Sequence, residues 1–153
     1  MPHRSGEPKK PVLCFAAPDA SALRELRTGL LHHHRVLMEH ARRDYERLHG
    51  RIAGPGQLLH LLMQDPEFGW LRMLSSLLAE LDESLEEPVP GETEAVVAAI
   101  ARLLLEVEAD DGGFQVRYRQ ALQDSPDVVL SHAQVGGALR KLRGVKFDLH
   151  LAP

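Results

Sequence analysis

Leucine and other apolar residues recur every three or four positions along most of this chain, and this pattern predicts α-helices. The first long stripe lies in residues 21–48 and comprises Leu23, Leu26, Leu30, Leu37, Ala41 and Leu48. The most regular stripe lies in residues 66–87 and comprises Leu71, Leu74, Leu78, Leu81 and Leu85. Each stripe can bury one face of a helix, so we predict two long amphipathic helices that pack through leucine.

Shorter apolar stripes predict further helices at residues 57–64, 93–109, 114–123 and 126–144. In the first of these we expect the core to take Leu58, Leu59 and Leu62. Residues 65–67, Asp-Pro-Glu, combine a capping side chain, a proline that needs no N–H at the first helical position and an acid at the positive end of the helix dipole. Residues 125–127, Ser-Pro-Asp, repeat the device. Helices are therefore predicted to begin at Pro66 and Pro126.

Both ends of the chain depart from the helical pattern. Residues 1–11 are polar and interrupted by proline, whereas residues 12–17 are apolar enough to dock as an extended segment. Residues 145–151, VKFDLHL, alternate between apolar and polar as strands do. They could pair with residues 12–15, but an extended tail in a groove is the interpretation we favour.

These elements predict an all-α fold, an antiparallel four-helix-type bundle with short connecting helices and extended N- and C-terminal segments. We divide the chain into a flexible or extended segment at 1–18, a single helical domain at 19–144 and an extended tail at 145–153. With 153 residues, the chain is long enough to bury one substantial core.

Composition narrows the cellular setting. Cys14 is the only cysteine, which excludes an internal disulfide and is typical of a reducing compartment. Its hydrophobic surroundings offer no partner that would activate the thiol. No apolar run approaches the length that crosses a membrane. We therefore expect a cytoplasmic protein that does not bind membranes.

Charge is distributed unevenly along the chain. Residues 73–127 contain 13 acidic and 3 basic side chains, a net charge of −10, whereas the segments before and after them each carry +3. The acidic middle would repel phosphate backbones, so we expect no nucleic-acid binding. The acidic run is either a solvated helix face or a surface that meets a basic partner or the basic ends of a second copy.

The helical pattern places His34, Asp44, Tyr45 and His132 in or beside the predicted core. Among the consecutive histidines 32–34, side chains point about 100° apart and cannot chelate one ion together. On a helical wheel His34 lies nearest the stripe centre, with the preceding histidine slightly further away. A buried histidine paired with a carboxylate can be a structural lock or part of a ligand pocket. We favour the structural role and keep the pocket as the alternative.

Trp70 and Arg72 follow the predicted helix start at residues 65–67. Arg72 could lie over the indole of Trp70, or the two could form an anion-binding helix mouth. The interpretation we favour for Phe68 and Trp70 is that they are core residues that set how two helices meet. Trp70 and Arg72 are therefore tentative ligand-binding residues.

No recognisable catalytic or cofactor motif occurs in the chain. There is no phosphate-binding loop, dinucleotide fingerprint, zinc spacing or metalloprotease motif. Ser75 and Ser76 lie within a predicted helix and lack the nucleophile elbow of serine hydrolases. We predict no catalytic residue, no metal site and no cofactor, and lean against an enzyme.

Two segments resemble motifs of small uncharacterised bacterial all-α proteins. The first is residues 65–75, DPEFGWLRMLS. The second comprises Phe114, Arg117-Tyr118, residues 121–129 (ALQDSPDVV) and His132. The resemblance covers about a fifth of the chain. It implies a bacterial source and transfers no activity or catalytic residue.

We therefore predict a non-enzymatic helical module for protein–protein interaction that self-associates. Apolar residues beside the main stripe of the first helix, namely Leu31, Val36 and Met38, are the expected face of a homodimer. The alternative is a bundle that binds a small molecule or metal through His34, Asp44, Tyr45 and His132.

Overall fold

The computed structural model describes residues 20–106 and 113–150, with side chains up to residue 142. These residues form helices and contain no strand, which confirms the all-α prediction. The helices are α1 (Ala20–His49), α2 (Pro55–Gln64), α3 (Pro66–Gly69), α4 (Arg72–Glu86), α5 (Glu92–Leu105), α6 (Phe114–Asp124) and α7 (Pro126–His150).

The four longest helices close a ring of neighbours. α1 packs against α4 and α7, and α5 packs against the same two helices, while α6 rests on α7. Charged pairs join the ring at its surface, where Arg27 of α1 binds Asp82 of α4 and Lys141 of α7 lies 3.0 Å from Glu25 of α1. α1 therefore organises the fold, because it contacts two members of the ring along its length.

Aliphatic side chains fill the space inside the ring, as the low aromatic content requires. The helical stripes predicted from leucine spacing are buried for the most part, although Leu48 is 76% exposed. Phe68, Phe114 and Tyr118 add aromatic packing where α3 and α6 meet the bundle. The largest fully buried aliphatic residues are Leu26, Leu30, Leu37, Leu71, Leu74, Leu81, Ile100 and Leu139.

The helix start at residues 65–67 forms by the predicted capping. The Asp65 carboxylate accepts a hydrogen bond of 2.8 Å from the backbone N–H of Glu67, and Pro66 occupies the first helical position. The helix is a single turn, however, and ends at Gly69 before α4 begins at Arg72. Trp70 and Leu71 fill this break with buried side chains, so packing against the core interrupts a helix that was predicted to be continuous.

Two predictions about the faces of the helices need correction. Leu31, Val36 and Met38, the expected homodimer face, are partly buried and pack against the core. In α2 the fully buried leucine is Leu61, whereas Leu59 is exposed. α2 packs chiefly on the short α3, and so has one narrow contact rather than a full core face.

The C-terminal helix is longer than predicted. α7 continues through Gly144 to His150, so residues 145–150 are helical where an extended tail was expected. A glycine within a helix costs only about 1 kcal/mol relative to alanine, and the next proline is Pro153. The N-terminal segment 1–18, including residues 12–15, lies outside the described residues.

Candidate functional site

A chain of hydrogen bonds connects α1, α6 and α7 inside the bundle. His33 of α1 is fully buried, and its Nδ1 lies 2.6 Å from Ser131 Oγ of α7. Its Nε2 lies 2.7 Å from the hydroxyl of Tyr118 on α6. The same hydroxyl lies 2.5 Å from His132 Nδ1. Three helices are thus held together by four polar side chains in a row.

The hydrogen-bond partners assign a direction to this chain. Ser131 Oγ is also 3.2 Å from the carbonyl oxygen of Val128, to which it can donate its only proton. His33 Nδ1–H then donates to Ser131, and the Tyr118 hydroxyl donates to His33 Nε2. His132 Nδ1–H donates to Tyr118. Every donor and acceptor between His132 and the Val128 carbonyl is used, with all four side chains neutral.

Burial keeps these groups neutral. It lowers the pKa of His33 to about 3, with smaller contributions from the neighbouring histidines. Burial also raises the pKa of Tyr118 above its usual range. It lowers the pKa of His132, with help from Arg140. The side chains therefore act at neutral pH as an uncharged hydrogen-bonded network.

The network has the form of a structural lock. It begins at the partly exposed His132 and ends on a backbone carbonyl of α7, where no further group receives a proton. No buried side-chain nitrogen or oxygen among the described residues lacks a partner. A fully satisfied network in a core stabilises one helix arrangement over others. The structural role expected for His132 thus involves the hydroxyl of Tyr118 and not the predicted carboxylate.

The helical wheel of α1 predicts that His34, rather than His33, lies nearest the core. His34 is partly buried, and its Nε2 lies 2.7 Å from Ser75 Oγ on α4. The Ser75 hydroxyl donates to the Leu71 carbonyl at 3.1 Å, so His34 is the donor to serine rather than a base acting on it. The contact joins α1 to α4 and offers no activated nucleophile.

His34, Asp44 and His132 do not converge on one site. Asp44 lies at the surface, where it binds Arg47 and lies 3.3 Å from His40 Nε2, both on its own helix. His132 contacts Tyr118 instead. The prediction of a pocket built from these three residues is therefore wrong. His34 bonds to α4, His132 bonds to α6, and Asp44 pairs with residues of its own helix.

Three of the predicted ligand residues do share a site, although not the predicted one. Asp44, Tyr45 and Trp70 line a cleft between α1, α3 and α6, with a volume of about 430 Å³. The Tyr45 ring lies 4.6 Å from His49 and 5.5 Å from Phe68 between ring centroids. Trp70 is largely buried, with its ring 5.6 Å from Phe114. We call this the α1–α6 cleft.

Arg72 has a different role from the one predicted. It does not cover Trp70, because its Nε donates to the backbone carbonyl of Leu62 at 3.3 Å. That carbonyl belongs to the last turn of α2, whose carbonyls lack helical partners. Arg72 thus caps the end of α2 and connects it to the start of α4.

An exposed apolar surface lies on α2. The helix PGQLLHLLMQ contains no charged residue. Leu59 and Met63, one helical turn apart, are 58% and 64% exposed. Leu58 and Leu62 are partly buried beside them. We call these four side chains the α2 face.

The described residues, 20–106 and 113–150, present neither a metal-binding cluster nor a membrane-spanning helix. No group of three or more histidine, cysteine, aspartate or glutamate side chains there could hold a metal ion. No helix there has the length and apolarity needed to cross a bilayer.

No protein-family model, curated protein or solved structure matches the chain. The resemblance of residues 65–75 and 114–132 to small bacterial proteins therefore stays a prediction. Any function has to be argued from the surfaces and clefts of the chain itself.

Proposed function

We propose that the protein is a non-enzymatic interaction module that self-associates through the α2 face. The observation that carries this proposal is an uncharged helix with Leu59 and Met63 in solvent. Leucine and methionine grouped on one side of a helix favour contact with another apolar surface. α2 packs chiefly on α3, so its outer side is open to a partner.

A second copy of the chain is the partner that the charges favour. In a two-fold dimer the same surface of each copy forms the contact, and two uncharged surfaces meet without charge repulsion. By contrast, the groove between α4 and α5 is lined by Glu80, Glu83, Glu86, Glu87 and Glu92 and by no basic residue. Two such grooves would repel one another. The α2 face is therefore the better surface for contact between copies.

Sedimentation equilibrium tests this proposal. A helix of 10 residues supplies a small interface, so we expect a dimer with a dissociation constant on the order of micromolar. The double variant Leu59→Glu, Met63→Glu should be monomeric at concentrations where the unchanged protein is dimeric, because it would bury four carboxylates at the contact.

A matched control changes equally exposed apolar residues elsewhere. Val116 on α6 and Leu130 on α7 are 74% and 65% exposed, and their replacement by glutamate should leave the dimer intact. Circular dichroism would verify that each variant is folded. A monomer at 100 µM or above, on the order of a hundred times the expected constant, or a dimer that only the control variant dissociates, contradicts the proposal.

We also propose a second function, the binding of a small molecule in the α1–α6 cleft. The cleft has the volume of ordinary ligand sites and combines the aromatic side chains of Tyr45 and Trp70 with charged groups at its rim. Native mass spectrometry of the purified protein should show an adduct that is lost in Tyr45→Ala and kept in Leu130→Ala. An adduct retained in Tyr45→Ala would place the ligand elsewhere.

A further inference from the structure

The charged residues of the α1–α6 cleft differ in whether they have partners of opposite charge. Asp44 binds Arg47, and Glu67 lies 3.0 Å from His49. Both carboxylates are thus occupied by side chains of the protein. Two charged residues on α6, the opposite wall of the cleft, have no such ion-pair partner among the residues that the structure describes.

Arg117 is the first of them. Its guanidinium lines the cleft and makes no hydrogen bond or ion pair with any residue that the structure describes. Guanidinium groups bind carboxylates through two parallel hydrogen bonds. Arg117 can therefore accept a carboxylate from a ligand without breaking a bond within the protein.

Asp124 is the second. Its two oxygens accept hydrogen bonds of 3.1 Å from the amide of Gln120, which carries no charge. No positively charged side chain among the described residues pairs with this carboxylate. Asp124 is suited to an ammonium group.

The spacing of the two charges sets the length of a ligand that could reach both. Arg117 and Asp124 are seven residues apart on α6, which places them on the same side and about 10 Å apart along the axis. An extended peptide spans about 3.3–3.6 Å per residue, so three residues cover this distance. The lining of the cleft also includes Tyr45, Leu48 and Trp70, which can contact an apolar middle of the ligand.

We propose that the α1–α6 cleft binds an elongated zwitterion of tripeptide length, with its carboxylate on Arg117, its ammonium on Asp124 and an apolar centre over Tyr45 and Trp70. The proposal rests on the second proposed function and names its ligand class. It does not depend on self-association through the α2 face.

Trp70 makes the test direct, because it is the only tryptophan and it lines the cleft. The probe is the tripeptide Ala-Leu-Ala with free termini at pH 7, titrated against tryptophan fluorescence. We expect saturable binding. N-acetylation or C-amidation of the peptide should each weaken it at least about fivefold, because each removes one charge-assisted contact.

Variants assign each end of the peptide to its residue. Arg117→Gln should weaken binding of the free peptide but not of the C-amidated one. Asp124→Asn should weaken binding of the free peptide but not of the N-acetylated one. Arg119→Gln is the matched control, since Arg119 is exposed on the same helix and does not line the cleft. It should bind all peptides as the unchanged protein does.

The outcomes separate the two proposals. If the peptide blocked at both ends binds as tightly as the free one, the cleft takes an apolar ligand and the zwitterion is rejected. If no peptide binds at millimolar concentration and native mass spectrometry shows no adduct, the small-molecule function is rejected with it. If an adduct is seen but the free peptide fails to bind, only the ligand class is overturned.

Discussion

At the scale of single residues, the hydroxyl of Tyr118 lies at the centre of the buried hydrogen-bonded network. It bridges His33 and His132, so two histidines on different helices depend on one oxygen. The loss of a buried partner costs more than a hydrogen bond contributes on average, since the remaining groups stay desolvated.

Tyr118→Phe should therefore lower the free energy of unfolding by about 1–3 kcal/mol, measured by urea denaturation. Tyr45→Phe is the matched control, because the Tyr45 hydroxyl makes no hydrogen bond with a described residue and should change stability by less than about 0.5 kcal/mol. Equal losses in the two variants would show that the network does not stabilise the fold.

His33 predicts how stability depends on pH. Its pKa falls from 6.5 to about 3 on folding, so the unfolded chain binds the proton first. The contribution of neutral His33 is fully present above pH 6.5 and is lost as pH falls toward 3. In the unchanged protein, the urea concentration at the midpoint of unfolding should fall steadily from about pH 7 to 5.5 to 4, as His33 becomes protonated in the unfolded chain.

The carboxylates also titrate in acid, so a comparison isolates the histidine. His33→Gln should reduce the slope between pH 7 and 5.5, above the range in which ordinary carboxylates protonate. A smaller slope should remain, because burial also lowers the pKa values of His34 and His132. His32→Gln, at an exposed position of the same helix, should keep the full slope. Parallel curves for all three proteins would be inconsistent with a buried neutral His33.

At the scale of elements, short local signals decide where helices begin. Asp65 caps α3 through the N–H of Glu67, and Ser125 Oγ lies 3.4 Å from the N–H of Val128 at the start of α7. Both contacts join residues two or three positions apart, so the sequence alone indicates them. The end of α2 differs, because Arg72 reaches its carbonyl from ten residues away.

Asp65→Ala should lower the free energy of unfolding by about 0.5–2 kcal/mol, because it leaves the N–H of Glu67 without its acceptor. Asp65→Asn keeps a capping oxygen and should lose less. Chemical denaturation of the pair measures the difference. If Asn is as damaging as Ala, the charge of Asp65, and not its hydrogen bond, is what matters at this turn.

At the scale of the whole molecule, the ring of α1, α4, α5 and α7 should unfold as one unit, since each member packs on two others. Buried leucines of α1 lie at the contacts of this ring, whereas its interhelix ion pairs are exposed. Exposed ion pairs contribute at most about 1 kcal/mol each. Apolar burial therefore supplies most of the stability.

Leu30→Ala should lower the free energy of unfolding by about 2–5 kcal/mol, because Leu30 is fully buried and the bundle cannot close the cavity. Leu130→Ala makes the same chemical change at a site that is 65% exposed and should cost less than about 0.5 kcal/mol. Calorimetry would give both values. A small loss for Leu30→Ala would place the core elsewhere than on α1.

Part of the candidate site could have been read from the spacing of α1. Leu23, Leu26, Leu30, His33 and Leu37 follow a strict three-four alternation, which is the heptad spacing of packed helices. A helical wheel drawn at 3.6 residues per turn places His34 nearer the centre of the stripe than His33. Over a helix of 30 residues this period and the heptad period diverge, so the two patterns select different histidines. Heptad spacing also places Leu48 outside this buried stripe, in agreement with its exposure to solvent.

Helix class, most helix boundaries and the leucine stripes follow from the sequence by itself, because caps, prolines and apolar periodicity act over a few residues. Which polar residues meet was decided only by the tertiary structure. His33 and Ser131 are 98 positions apart, and His33 and Tyr118 are 85 apart. Contacts at that separation depend on how α1, α6 and α7 pack, and no local pattern encodes the rotation of one helix against another.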